Sequence, residues 1–104
     1  MNRSILRIEI KVDDQAHELP AGKIVHFSEY RKKHITRGQE RVEVWVEAQL
    51  EGDGLLGEVI GTQHVQVFGT GQSILDGAEH LASCLADPFV WHLYRLPEPP
   101  EDDS

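Results

Sequence analysis

The sequence has 104 residues, of which 39% are hydrophobic and 27% charged, and its formal net charge is −8. This length suits one domain with one modest core, and the composition is that of a globular chain rather than a disordered one. The longest apolar runs cover only a few residues, which argues against a membrane-spanning helix, and the negative charge disfavours non-specific binding to nucleic acid.

Cysteine and histidine usage argues against disulfides and metal centres. Cys84 is the only cysteine in the sequence, so it has no internal disulfide partner and cannot build a CxxC zinc site. The six histidines form neither an HxxxH nor an HExxH pattern, so we expect no metal and no cofactor. The first residues interleave charges with apolar side chains and lack the apolar stretch of a secretory signal. The single cysteine favours a reducing compartment, which predicts a cytoplasmic protein.

The first half of the chain alternates apolar and polar residues with the period of half-buried strands. Strands are predicted over residues 3–12, 17–19, 23–27 and 42–50, separated by turn-forming residues at 13–15 and 20–22. The last of these strands is the clearest, because Val42, Val44 and Val46 line one face. Residues 28–40 are rich in charge and poor in apolar side chains, which predicts an exposed loop.

The second half contains two further strands and one ambiguous segment. Strands are predicted over residues 64–68 and 89–96. Residues 73–86 fit a helix, because their apolar residues recur at helical spacing, but Gly77 interrupts it and a strand from His80 to Leu85 fits equally well. The acidic, proline-rich tail over residues 97–104 is expected to be disordered.

These elements predict a mainly β fold. We expect one domain over residues 1–96, built from a single small antiparallel sheet that curls into a sandwich or partial barrel. At most one short helix is expected, near residues 73–80.

Four short motifs occur in a fixed order along the chain: I10-K-V-D-D14, R41-V-E-V-W45, V67-F-G-T-G-Q72 and V90-W-H-L93. In this combination they resemble a family of small uncharacterised proteins encoded by bacteriophages of actinobacteria, over about residues 5–96. The resemblance implies a phage protein in the cytoplasm of an infected bacterium, and it favours a strand at A82-S-C84. It implies no activity, and the basic loop over residues 28–40 is longer than the family pattern.

The stretch G69-T-G-Q72 raises the question of a phosphate site. It has no lysine and too short a spacing for a P-loop, and it lacks the third glycine of a dinucleotide fingerprint. A strand-ending turn is therefore favoured. The alternative is a backbone nest that binds a small anionic, nucleotide-like ligand with help from the basic loop. The residues of this alternative site are Gly69, Thr70, Gly71, Gln72, Arg31, Lys32, Lys33 and Arg37.

Aromatic and histidine side chains are predicted on the outer, solvent-facing side of three strands. They alternate with apolar residues that face the core, as Trp45 does with Val44 and Val46. Exposed aromatic side chains mark interaction surfaces, although a curled sheet or a covering loop would bury them. The residues of this predicted protein-interaction surface are Trp45, His64, Phe68, His92 and Tyr94.

The sequence carries no recognisable catalytic constellation. Cys84 lies among small and apolar neighbours that predict a buried, inert thiol, and Ser73 lacks the GxSxG elbow of hydrolases. The sequence therefore predicts a non-enzymatic protein that binds another protein and forms a homo-oligomer, and the resemblance implies a phage accessory protein whose partner is a host or phage protein. The alternative is a protein that sequesters a small anionic ligand.

Overall fold

The computed structural model of the protein describes residues 2–30, 40–51 and 58–97. Within these ranges the chain forms eight β-strands and no helix. The strands are β1 (Asn2–Lys11), β2 (His17–Pro20), β3 (Gly22–Glu29), β4 (Arg41–Glu51), β5 (Glu58–Val59), β6 (Thr62–Gly69), β7 (Glu79–Ala86) and β8 (Phe89–Arg95). The described part of the chain therefore offers no helix that could cross a bilayer.

The strands form two antiparallel sheets. The first sheet has the order β1–β4–β3, with β5 pairing at the end of β4, and the second has the order β2–β6–β8–β7. The mainly β prediction is confirmed, but the chain builds two sheets rather than one curled sheet. Two sheets form because the strand that follows β1 along the chain leaves the first sheet. After a short connection, β2 pairs with β6 of the second sheet and not with β1.

The hydrophobic core lies between the two sheets. Val42, Val44 and Val46 enter it from β4, while Val65 of β6 and Leu93 of β8 enter it from the other side, and all five are fully buried. Burying one such side chain stabilises the fold by about 1.5–3 kcal/mol. The two sheets therefore share one core, as in a sandwich.

The ambiguous segment resolves into turns followed by a strand. Residues 70–78 form turns and irregular backbone, and β7 begins at Glu79. Gly77 has a φ of +83°, a value that an α-helix does not use. The helical spacing of the apolar residues is thus overridden by pairing of β7 with β8, as the alternative strand prediction required.

Candidate functional site

The five side chains of the predicted interaction surface do not form one surface. Trp45 lies on β4 of the first sheet, whereas His64, Phe68, His92 and Tyr94 lie on β6 and β8 of the second. Because the core lies between the sheets, the two outer faces point in opposite directions. The single surface expected from the sequence is therefore wrong, and each face has to be judged separately.

Trp45 is exposed at the centre of the outer face of the first sheet. It alternates with the buried Val44 and Val46, and 36% of its surface is accessible. Its ring leans on His26 of β3 with 4.7 Å between ring centroids, and its indole N–H donates to the carboxylate of Glu43. The polar edge of the indole is thus satisfied within the chain, while much of its apolar surface stays open.

A bulge in β3 adds to the apolar surface beside Trp45. The register of β3 against β4 shifts between Ile24 and His26, so Val25 is the extra residue. Val25 is 39% exposed beside His26, and Ile5 of β1 is 56% exposed on the other flank. We call the group Ile5, Val25, His26 and Trp45 the Trp45 patch.

Ion pairs between β1 and β4 surround the Trp45 patch. They are Arg3–Glu47 at 3.0 Å, Arg7–Glu43 at 2.9 Å and Arg41–Glu9. Exposed pairs of this kind stabilise a fold by at most about 1 kcal/mol each, so their larger effect is to neutralise the rim. An apolar centre with a polar, charge-balanced rim is the usual anatomy of a protein–protein contact.

The outer face of the second sheet is partly closed over Phe68. Phe68 is only 4% exposed, and its ring meets Tyr94 edge to face with 5.5 Å between centroids. Phe68 is therefore covered rather than exposed, which decides for this residue the alternative that the sequence left open, and Tyr94 on the neighbouring strand packs against it. His64 is half-buried, with its Nε2 3.6 Å from the Glu18 carboxylate.

A chain of hydrogen bonds joins two histidines and two hydroxyls on this same face. The Ser83 hydroxyl lies 2.7 Å from His92 Nδ1 and 2.8 Å from His80 Nε2, and the Thr70 hydroxyl lies 3.0 Å from His92 Nε2. We call Thr70, His80, Ser83 and His92 the Ser83 cluster. Because both ring nitrogens of His92 meet hydroxyls, the donor in each bond depends on the tautomers of the rings.

The Ser83 cluster lacks the partner that a serine nucleophile needs. A base activates serine well when a carboxylate orients the imidazole and stabilises its protonated form. In this cluster the neutral Thr70 hydroxyl occupies the position beyond His92. Among the described residues no group of histidine, cysteine or carboxylate side chains could hold a metal ion.

Sequence reasoning missed His80 and Ser83, because their placement depends on strand register. Ser83 lies directly opposite His92, and the register of β7 shifts between His80 and Ala82. This bulge brings His80, three residues before Ser83, to the same face of the sheet. The pairing of β7 with β8 is the only signal that could have revealed the cluster.

In the turn at residues 69–72, the backbone N–H groups of Gly69 and Gln72 donate hydrogen bonds within the turn itself. Gly71 has a φ of +94°, as a glycine turn predicts. The Gly69 N–H donates to the side-chain oxygen of Gln72, and the Gln72 N–H donates to the Gly69 carbonyl at 3.2 Å. The Gln72 amide also donates to the Asp14 carboxylate at 3.1 Å, which places a negative charge beside the turn and opposes an anion there. Arg31, Lys32, Lys33 and Arg37 lie outside the described residues.

Cys84 is half-buried and packs against the core. Burial raises the pKa of its thiol, and the negative charge of Glu29 raises it further. The thiolate is the reactive form of cysteine, so this environment fits a thiol of low reactivity.

Comparisons with known proteins place the chain in a family without adding a mechanism. No curated protein and no solved structure matches the chain. One family model, described as domain of unknown function DUF7352, matches residues 1–104. This match covers the whole sequence, and the chain therefore belongs to the DUF7352 family.

Proposed function

We propose that the protein is a non-enzymatic interaction module that binds a protein partner through the Trp45 patch. The observation that carries the proposal is the exposed Trp45, flanked by the exposed Ile5 and Val25 on a face that also carries the ion pairs Arg3–Glu47 and Arg7–Glu43. Tryptophan is the side chain most enriched at the energetic centres of interfaces, where a polar rim excludes water around it. The patch therefore has the composition of a binding centre.

The biological setting forms part of the proposal. The four motifs that resemble actinobacteriophage proteins support an accessory protein that acts in the cytoplasm of an infected bacterium. Its partner in this setting is a host or phage protein, and self-association accompanies its action. The engagement of His92 by hydroxyls alone, without a carboxylate, supports binding rather than catalysis.

The test compares substitution of Trp45 with substitution of an exposed apolar residue on the other sheet. Trp45→Ala removes the centre of the patch, while Leu85→Ala, at a side chain 73% exposed on β7 of the other sheet, is the control. Both variants are checked for folding by circular dichroism. Partner capture from an actinobacterial lysate is then quantified by mass spectrometry, and self-association is measured by sedimentation.

We expect Trp45→Ala to weaken partner binding by about 30-fold or more, which corresponds to a hot spot of about 2 kcal/mol. Leu85→Ala should bind as the native protein does. If Trp45→Ala leaves both partner capture and self-association unchanged, the patch is not the binding surface and the proposal fails.

Binding of a small anionic ligand is the second candidate function. The observation that favours it is the contact of Thr70, in the predicted turn, with His92 and through it with Ser83. These side chains could donate hydrogen bonds to a phosphate group, and the Asp14 carboxylate beside the turn acts against its binding. Native mass spectrometry of the gently purified protein distinguishes the two functions. A discrete extra mass of a nucleotide on each chain, lost in Ser83→Ala, would favour the ligand.

A further inference from the structure

We propose that two copies of the chain associate by antiparallel pairing of their β1 strands, which joins their first sheets into one continuous sheet. This inference rests on the proposed function, since it names a second copy as a partner. It uses the edge of the sheet beside Trp45, and it covers Ile5 but leaves Val25, His26 and Trp45 of the Trp45 patch open for a further protein.

The free edge of β1 is long and regular. Among the described strands β1 pairs only with β4, and this pairing runs without a register shift from Asn2 opposite Leu50 to Lys11 opposite Arg41. The ten-residue strand contains no proline and no bulge, two devices that commonly protect an edge from another chain. Its second side therefore presents backbone N–H and C=O groups in a regular row.

Apolar side chains accompany this edge on both faces of the sheet. Ile5 is 56% exposed on the outer face, and Leu6 and Ile8 on the inner face are only partly buried although they pack against the core. An added strand would cover all three side chains. The free edge thus offers apolar burial together with backbone hydrogen bonds.

The charges of β1 favour a register centred on Ile8 for this pairing. If Ile8 lies opposite Ile8 of the second copy, Arg7 lies opposite Glu9 of that copy, and the same pair recurs by symmetry. A register centred on Arg7 would place Arg7 opposite itself and Arg3 opposite Lys11. Opposite charges stabilise cross-strand pairs and like charges destabilise them, so the register centred on Ile8 is favoured over the one centred on Arg7.

Arg7 can serve both copies at once. Its Nε contacts Glu43 of its own chain at 2.9 Å, which leaves the two terminal nitrogens of the guanidinium to donate elsewhere. In the same register Ile5 lies opposite Lys11 of the second copy, whose aliphatic stem can cover it. The dimer would also carry both Trp45 patches on one outer face, three strand spacings or about 14 Å apart across the sheet.

Cysteine cross-linking tests the register directly. In a Cys84→Ser background, Ile8→Cys places two thiols at the symmetry axis, where directly opposite Cα atoms are about 4.5–5.5 Å apart and a disulfide can form. Leu6→Cys is the matched control, since its two copies would lie about 13 Å apart along the strands. We expect mild oxidation to link Ile8→Cys into a reducible dimer and to leave Leu6→Cys as single chains.

Charge reversal supplies an independent test on the exposed outer face. Arg7→Glu alone and Glu9→Arg alone each place like charges opposite one another in the dimer, so each should weaken dimerisation at least tenfold by sedimentation. A mixture of the two variants restores both Arg–Glu pairs in a heterodimer and should recover association. This rescue distinguishes the pairing from simple loss of folding.

A native chain that sediments as a monomer at every accessible concentration would overturn the inference. Equal cross-linking of Leu6→Cys and Ile8→Cys would also overturn it, and so would a mixture of Arg7→Glu and Glu9→Arg that fails to associate. These outcomes are separable from failure of the proposed function. If the β1 dimer is absent while Trp45→Ala still loses a captured partner, only the inference is wrong. If the dimer forms and Trp45→Ala changes nothing, only the proposed function is wrong.

Discussion

Gly22 shows how a single residue is fixed by close contact between strands. Its φ is +156°, and a Cβ atom at this position would lie 2.3 Å from the backbone oxygen of Glu47. We predict that Gly22→Ala lowers the free energy of unfolding by about 2–3 kcal/mol, since the backbone of β3 must move away from β4. Urea denaturation monitored by circular dichroism measures this loss.

Gly71→Ala is the matched control for this prediction. Gly71 has a φ of +94° but no heavy atom within 4 Å of a Cβ at that position, so its replacement costs only the backbone strain of about 1–2 kcal/mol. An equal or larger loss at Gly71 than at Gly22 would mean that the contact with Glu47 relaxes freely.

At the same residue scale, the sequence predicted where side chains point better than whether they are covered. Alternation with buried valines correctly placed Trp45 on an outer face. The same reasoning placed Phe68 outside, but cover by Tyr94 depends on the neighbouring strand and leaves no local pattern. Ser83 was missed for a related reason, because its bonds to His80 and His92 follow from the register of two strands.

The connection between β1 and β2 matters at the scale of elements, because it carries the chain from one sheet to the other. The Asp13 carboxylate bonds His17 Nε2 at 2.8 Å and accepts the N–H of Gln15 at 3.2 Å. Burial acts to raise the pKa of Asp13, but these bonds and the charge of His17 outweigh it and lower the pKa below its ordinary value. The ionised carboxylate is therefore the form that the folded connection favours.

A lowered carboxyl pKa adds stability that is complete above the ordinary pKa and is lost as the pH falls through the lowered value. We predict that Asp13→Asn costs up to about 1 kcal/mol at pH 6 and progressively less below about pH 4. Asp76→Asn, at an exposed position in the irregular segment before β7, is the control. Thermal unfolding of the three proteins from about pH 6 to well below pH 4 checks the trend, and a difference that stays constant below about pH 4 would contradict it.

Strand existence was predictable from the sequence, whereas strand partners were not. The β4 strand was expected over residues 42–50 and is found at Arg41–Glu51, because one buried face imposes the alternation. The division into two sheets depends on contacts such as His17 with Val65, which are distant in sequence. The helix-or-strand ambiguity over residues 73–86 has the same origin, since only pairing with β8 decides it.

At the scale of the whole molecule, the shared core predicts that the two sheets unfold together. The chain has two tryptophans, Trp45 in the first sheet and Trp91 in the second, so each sheet carries its own fluorescent reporter. Trp91→Phe leaves a reporter of the first sheet, and Trp45→Phe leaves one of the second. Because Val44 and Leu93 pack in the same core from opposite sheets, we predict that each variant's fluorescence transition in urea coincides with its own circular dichroism transition.

Leu93→Ala makes this prediction stricter. Leu93 lies on β8 and is fully buried, so the variant should lose about 2–5 kcal/mol of stability. We combine Leu93→Ala with each of the two single-tryptophan variants. The urea midpoint reported by Trp45 should fall as much as the midpoint reported by Trp91, although Trp45 belongs to the other sheet. A shift confined to Trp91 would mean that the sheets are separate cooperative units joined by their connections, and the common core would then stabilise each sheet only locally.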